Sequence, residues 1–182
     1  MYGQYSSKKS ATTGSRRQQM NKIKTNPDQD FKNSSYGSYF EFYEKLIDKN
    51  TNSKMSTYDK VKTMYKYLVN HVYHKNGYHC KHYAGTFAGI CRTIGLDAYC
   101  ATGYTKAGKG WTGHTWTVIK INGTEYIFDA SLERHNSDNK KNKKSVDYKY
   151  FFKKKSELKG VYKQEGYENL WPYFMLGKYS TL

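Results

Sequence analysis

His114-Thr-Trp-Thr-Val-Ile-Lys-Ile-Asn-Gly-Thr-Glu-Tyr-Ile-Phe-Asp129 is two β-branched and aromatic runs split by Asn122-Gly123. That dipeptide suits a two-residue type I′ turn, in which both central residues need positive φ. The turn fixes a register: Ile121 opposite Thr124, Lys120 opposite Glu125, Val118 opposite Ile127 and Trp116 opposite Asp129. Alternation then gathers His114, Trp116, Val118, Ile127 and Asp129 on one face. His114 and Asp129 become diagonal neighbours within side-chain reach, and the opposed charges of Lys120 and Glu125 support the same register. An imidazole held by a carboxylate keeps the tautomer that a general base needs.

The missing partner is a nucleophile, and Cys80 supplies it. From Cys80 onward Ala84, Phe87, Ala88, Cys91 and Ile94 recur at helical spacing, and Gly95 stands where a left-handed C-terminal cap belongs. Cys80 therefore opens a helix, where unpaired N–H groups and the macrodipole favour the thiolate. A nearby His114 would strengthen this by ion pairing.

Four motifs in succession resemble the transglutaminase-like superfamily of papain-fold thiol enzymes. They are Gly77-Tyr-His-Cys80-Lys-His-Tyr83-Ala84, Ile94-Gly95-Leu-Asp-Ala-Tyr-Cys-Ala-Thr-Gly103, Gly113-His114-Thr-Trp116-Thr-Val and Tyr126-Ile-Phe-Asp129-Ala-Ser131. The resemblance covers roughly residues 56 to 155. It implies Cys80 as nucleophile, His114 as general base and acid, and Asp129 as the group that orients the histidine. It also implies an upstream polar or aromatic donor to the oxyanion, for which Tyr78 is the nearest candidate. The fold expected is α+β: a papain-like core of three helices packed on an antiparallel sheet of four or more strands, with the nucleophile at a helix N-terminus. The activity implied is attack on an amide bond of a protein or peptide, wall peptide included, through a thioester. Water resolving it gives a cysteine peptidase or amidase; a lysine amine gives a transglutaminase. Hydrolysis is favoured because a small single domain has no accessory domain to position an amine.

The chain has 182 residues, 37% of them hydrophobic, and a mean hydropathy of -0.96, so its core must be rich in aromatics, and 20 tyrosines are present to build it. No apolar run is long enough to span a membrane and no leader pattern begins at Met1. We expect an extracellular or cell-surface chain, mature or trimmed, with a cytoplasmic location left open. The net charge of +16 suits an anionic wall polymer, lipid headgroups or nucleic acid, with no specific nucleic-acid site expected, and equally suits a merely solvated surface. A binding module for anionic polymers is thus the reading from another class. The three cysteines are an odd number; Cys91 and Cys100 fall in apolar runs as small hydrophobes, and a bridge between them is allowed in a secreted protein.

Residues 1–37 are polar and nearly free of aliphatics, with Lys8, Lys9, Arg16 and Arg17 as a basic cluster, and are expected to form a loosely draped arm before a single domain over 38–182. Phe40, Tyr43, Leu46 and Ile47 mark a first helix. Ser56 caps a second, striped by Val61, Met64, Tyr65, Leu68, Val69 and Val72, which Asn76-Gly77 should end. His71, His74, His79 and His82 around Cys80 raise a zinc site as a competitor, although their spacing fits no zinc pattern and we expect neither metal nor cofactor. His79 and His82 flank the cysteine and are candidates for the substrate rim. Asp97 to Tyr104 reads as a strand and the glycine- and lysine-rich stretch 105–113 as a loop bordering the site. Trp111 in that loop is a third rim candidate and Trp116, beside His114, a fourth or a shield for the ion pair. Residues 133–147 read as a polar loop, Tyr148 to Phe152 as a strand, Ser156 to Leu158 as a helical turn, and the aromatic segment Tyr167 to Phe174 as a strap docked on the sheet.

Overall fold

The computed structural model describes residues 16–169. In chain order these form α1 (16–22), α2 (Gln29–Asn33), α3 (Gly37–Asn50), α4 (Thr57–His71), α5 (Cys80–Ile94), β1 (Ala98–Ala107), β2 (Gly110–Ile121), β3 (Thr124–Phe128), α6 (Ala130–Asp138), β4 (Phe151–Lys153) and β5 (Tyr162–Glu168). The strands make one antiparallel sheet in the order β4-β3-β2-β1-β5.

Ten of the fifteen residues of α5 are buried because both of its sides are covered. One side lays Ala84, Phe87 and Cys91 on the sheet among Ala98, Cys100, Ile119, Ile121 and Phe128. Its Ile90 meets a second cluster, in which Phe31, Phe40, Tyr43, Leu46, Ile47 and Met64 join α2, α3 and α4. The opposite face of the sheet carries Ala101, Trp116, Val118 and Ile127, closed over by Leu158 and Tyr162. The α+β architecture is the one expected, with a helical layer wider than three helices and a five-stranded sheet.

Local chemistry explains the boundaries. The Ser56 hydroxyl accepts the Asp59 N–H at 3.2 Å and starts α4. Gly95, at φ +111°, ends α5 as Gly95 and Leu96 both donate to the Cys91 carbonyl. A side chain there would also collide with the Asn26 backbone, 2.5 Å from the Cβ position, so this glycine serves the cap and the docking of the preceding chain. Asn122 and Gly123 take φ of 49° and 81°, and Ile121, Lys120 and Val118 pair with Thr124, Glu125 and Ile127 in the expected register.

Several expectations are corrected. Residues 16–37 do not drape loosely: Met20 and Phe31 are fully buried, and Arg16 donates to the Phe152 carbonyl at 2.9 Å and to Glu157. Two apolar anchors and an ion pair hold a segment whose composition alone is too polar. Lys8 and Lys9 lie outside the described residues. Stretch 105–113 is not a loop but the end of a hairpin, because Lys106 pairs with Trp111 and β1 and β2 turn through Gly108 at φ +60°. The polar stretch after Asp129 begins as α6, with Glu133 and Arg134 fully buried. Arg134 bonds the carbonyls of Val69 and Lys143, which is why a cation is tolerated inside. The second helix stops at His71, and His74–Asn76 is a separate 3-10 turn capped by Gly77, so His71 and His74 do not share a helix. Of the aromatic strap, Tyr167 and Glu168 lie on β5, and residues 170–174 fall outside the described residues.

Candidate active site

Cys80 is the first residue of α5 and half-buried. The helix starts there because two histidines cap it reciprocally. His79 Nδ1 accepts the Lys81 N–H at 3.4 Å, and His82 Nδ1 accepts the His79 N–H at 3.3 Å. The rings lie 4.3 Å apart, and burial, then the neighbouring His79, lowers the pKa of His82 below the usual histidine value. Both histidines must therefore be unprotonated at Nδ1 to do this work. His79 is exposed and His82 is half-buried.

His114 and Asp129 meet, though not as cross-strand partners. Ladder pairing between β2 and β3 stops at Thr117 and Phe128, so Asp129 leaves the sheet as the N-cap of α6, with its Oδ1 accepting the Leu132 N–H at 3.0 Å. Its Oδ2 accepts His114 Nε2–H at 2.7 Å. Both side chains are buried, Asp129 almost completely. Nε2 is thus committed to the carboxylate.

The thiol is acted on by His114 and by the Thr115 backbone N–H. Burial alone would raise the Cys80 pKa; the hydrogen bond and charge of His114, with the Thr115 N–H, outweigh it and leave the thiol below its ordinary value. For His114, burial would favour the neutral ring, but the charge and hydrogen bond of Asp129, helped by Cys80, raise its pKa to about 10. The two shifts run in opposite directions, which is what a thiolate–imidazolium pair requires.

A tyrosine from the other end of the domain completes the geometry. The Tyr162 hydroxyl on β5 donates to Asp129 Oδ2 at 2.8 Å, and its ring lies 4.7 Å from Trp116, which in turn stacks near the His114 ring at 6.0 Å. Trp116 is 1% exposed and so cannot form part of a substrate rim; it is a buried wall of the His114 pocket. Behind Asp129, Tyr65 lies within hydrogen-bond distance of the Asp129 carbonyl at 3.1 Å, Glu133 Oε1 at 3.0 Å and the Tyr150 carbonyl at 3.2 Å. Neither Tyr162 nor Tyr65 stands in a motif, and the run Tyr162-Lys-Gln-Glu-Gly-Tyr-Glu168 has no apolar alternation that would mark Tyr162 as buried.

Tyr78 packs against the main core and edge-on to His82 at 5.4 Å. Trp111 lies near the end of the hairpin with Lys106 and Lys163 over its ring. The histidine cluster disperses: His71 stacks on Tyr67 at 3.8 Å, His74 Nε2 meets Ser131 Oγ at 3.0 Å, and His79 and His82 cap α5. Among the described residues no three His, Cys, Asp or Glu side chains are grouped to hold a metal ion. All three cysteines are free, with Cys91 and Cys100 buried.

The profile of the transglutaminase-like superfamily matches residues 32–130, a span that contains Cys80, His114 and Asp129. A solved structure from Cytophaga hutchinsonii, named "Putative Cysteine Protease", is similar at 21% identity and a TM-score of 0.49 over 64% of this chain. The chain spans about half of that protein, 47% of its length. No curated protein matches the chain.

Proposed function

The chain belongs to the transglutaminase-like superfamily, and from that premise we propose that it is a thiol enzyme that cleaves amide bonds of a protein or peptide through Cys80, His114 and Asp129. The observation that carries this reading is the committed Nε2 of His114, 2.7 Å from Asp129 Oδ2, with the rest of the ring turned to a thiol at a helix N-terminus.

The Cys80 thiolate attacks the carbonyl carbon, and the oxyanion is met by the Cys80 backbone N–H at the start of α5. Protonated His114 gives its proton to the departing amine, and a thioester remains. Water then attacks the thioester as His114 takes a proton from it, the carboxylic acid leaves, and the thiolate–imidazolium pair returns. Asp129 holds the ring and balances its charge throughout. Cys80 is half-buried and reachable by water, the acceptor we favour; a lysine amine in its place would make the same centre a transglutaminase. The net charge of +16 supports an acidic or wall-associated substrate and a cell-surface or extracellular setting. Among the described residues no helix is long and apolar enough to cross a membrane.

Iodoacetamide alkylation of Cys80 against pH tests the reading, with Cys91 and Cys100 replaced so that one thiol is followed. Fast reaction well below pH 8 that slows in His114→Ala is expected, followed by turnover of amide substrates with and without an added amine. Ordinary thiol reactivity in both proteins would sink the proposal, and salt-sensitive polymer binding indifferent to Cys80→Ala would favour a binding module.

A further inference from the structure

The sheet continues past the N-terminus of α5 on the same face that α5 covers. Register and alternation place Thr115, Gly113 and Trp111 of β2 on that face, with Tyr104 and Lys106 of β1 opposite Gly113 and Trp111, and Lys163 of β5 opposite Tyr104. Thr115 presents its N–H to Cys80, so the run Thr115, Gly113, Trp111 leads away from the thiol in steps of about 7 Å. The floor is open. A side chain at Gly113 would meet nothing within 4 Å, and Gly113, Lys106 and Lys163 are exposed, as is Tyr104 at 39%.

The end of this floor is cationic and ordered. The Lys163 ammonium sits 4.2 Å and the Lys106 ammonium 5.2 Å from the centre of the Trp111 ring. Neither has an ionic partner among the described residues, whereas Lys81, nearer the thiol, is neutralised by Glu168 at 2.8 Å. The other acid on β5, Glu165, is the extra residue of the bulge opposite Thr102 and Gly103. Two lysines clamped on one indole present their charge to the groove without the freedom of ordinary surface lysines.

Building on the proposed thiol chemistry, we propose that Lys106, Trp111 and Lys163 form a subsite for an acidic side chain of the substrate peptide, two to four residues from the bond that Cys80 attacks. The spacing follows from the strand: Gly113 and Trp111 lie two and four residues beyond Thr115, and an extended peptide advances by about the same 3.3 Å per residue as the sheet beneath it. Tyr104 and the Trp111 ring give the methylene groups of a glutamate an apolar bed, and the two ammonium groups receive its carboxylate.

The test uses paired electrophilic peptides, with a vinyl sulfone at the C-terminus or a chloroacetyl group at the N-terminus, carrying Glu or Gln two, three or four residues from the electrophile. Rates of Cys80 labelling are followed by intact mass. In the wild-type protein at low salt one position should give a Glu over Gln rate ratio of roughly tenfold, falling as salt rises. In Lys106→Gln/Lys163→Gln that ratio should fall to about one. A ratio near one at every position in the wild type, or a ratio that survives the double substitution, overturns the subsite. Because each ratio compares two peptides on the same thiol, it is read even if iodoacetamide shows Cys80 to be an ordinary thiol, an outcome that would remove the catalytic reading alone.

Discussion

Tyr162 and His114 donate to the same oxygen of Asp129, at 2.8 Å and 2.7 Å. The two donors come from strands 48 positions apart in sequence, and together with the Leu132 N–H on the other oxygen they fix the carboxylate on three sides. Burial and the charge of Asp129 keep the Tyr162 pKa well above that of an ordinary phenol, so it remains a donor over the whole working range.

Tyr162→Phe should therefore leave the fold intact and loosen the carboxylate. A hydrogen bond to a charged group contributes about 1.5–3 kcal/mol, so low-pH alkylation of Cys80 and amide turnover should both fall by roughly tenfold or more. A structural role alone would lower the urea midpoint without moving the pH profile. An unchanged profile would remove Tyr162 as a positioning residue.

Much of this arrangement is legible in the sequence because it rests on local signals. Asn122-Gly123 fixes the hairpin register, Ser56 and Gly95 mark helix ends, and the stripe from Ala84 to Ile94 places Cys80. Tyr162 is not legible, since its partner lies 33 residues away and its strand is almost wholly polar, with no apolar alternation. Glu133 and Arg134 mislead for a related reason: composition assigns charges to solvent, while here Glu133 is bonded by Tyr65 and the Tyr150 N–H and Arg134 by two carbonyls. Trp116 looks like a rim residue beside His114 until β5 is known to cover it.

The Cys80–His114 pair links stability to pH with a definite sign. His114 is raised to about 10, so its contribution is fully present below the unfolded value of about 6.5 and is lost as pH rises through about 10. Cys80 is lowered, so its contribution is present above the unfolded value of about 8.5 and is lost as pH falls through the folded value. Urea midpoints of wild type and His114→Ala should thus draw together above about pH 10, and a gap that widens there would contradict the assignment.

Tyr65→Phe tests the support behind Asp129. Burial first, then the Asp129 charge, opposes ionisation of Glu133, while hydrogen bonds from Tyr150 and Tyr65 offset this only in part, so its pKa stays above the usual carboxylate range. Removing the hydroxyl strips a donor from a buried acid and should lower stability by about 1–3 kcal/mol in urea titration. Alkylation of Cys80 per folded molecule should change less than in Tyr162→Phe, because Tyr65 does not touch the Asp129 carboxylate.

Asp129→Asn separates the two duties of that residue. The amide oxygen can still accept the Leu132 N–H, so the α6 cap persists and the stability loss should stay below about 2 kcal/mol. The amide nitrogen, turned toward His114 Nε2, is a donor where the ring needs an acceptor. The imidazole must then present Nε2 as acceptor and carry its proton on Nδ1, the nitrogen left for Cys80, which can no longer take a proton from the thiol. Turnover and low-pH alkylation should fall by on the order of 10³-fold or more with folding retained. Asp129→Ala loses the cap as well and should be clearly less stable than the asparagine variant at equal or lower activity. Full activity of Asp129→Asn, measured beside its urea midpoint, would show that His114 acts without the carboxylate and would return Asp129 to a purely structural role.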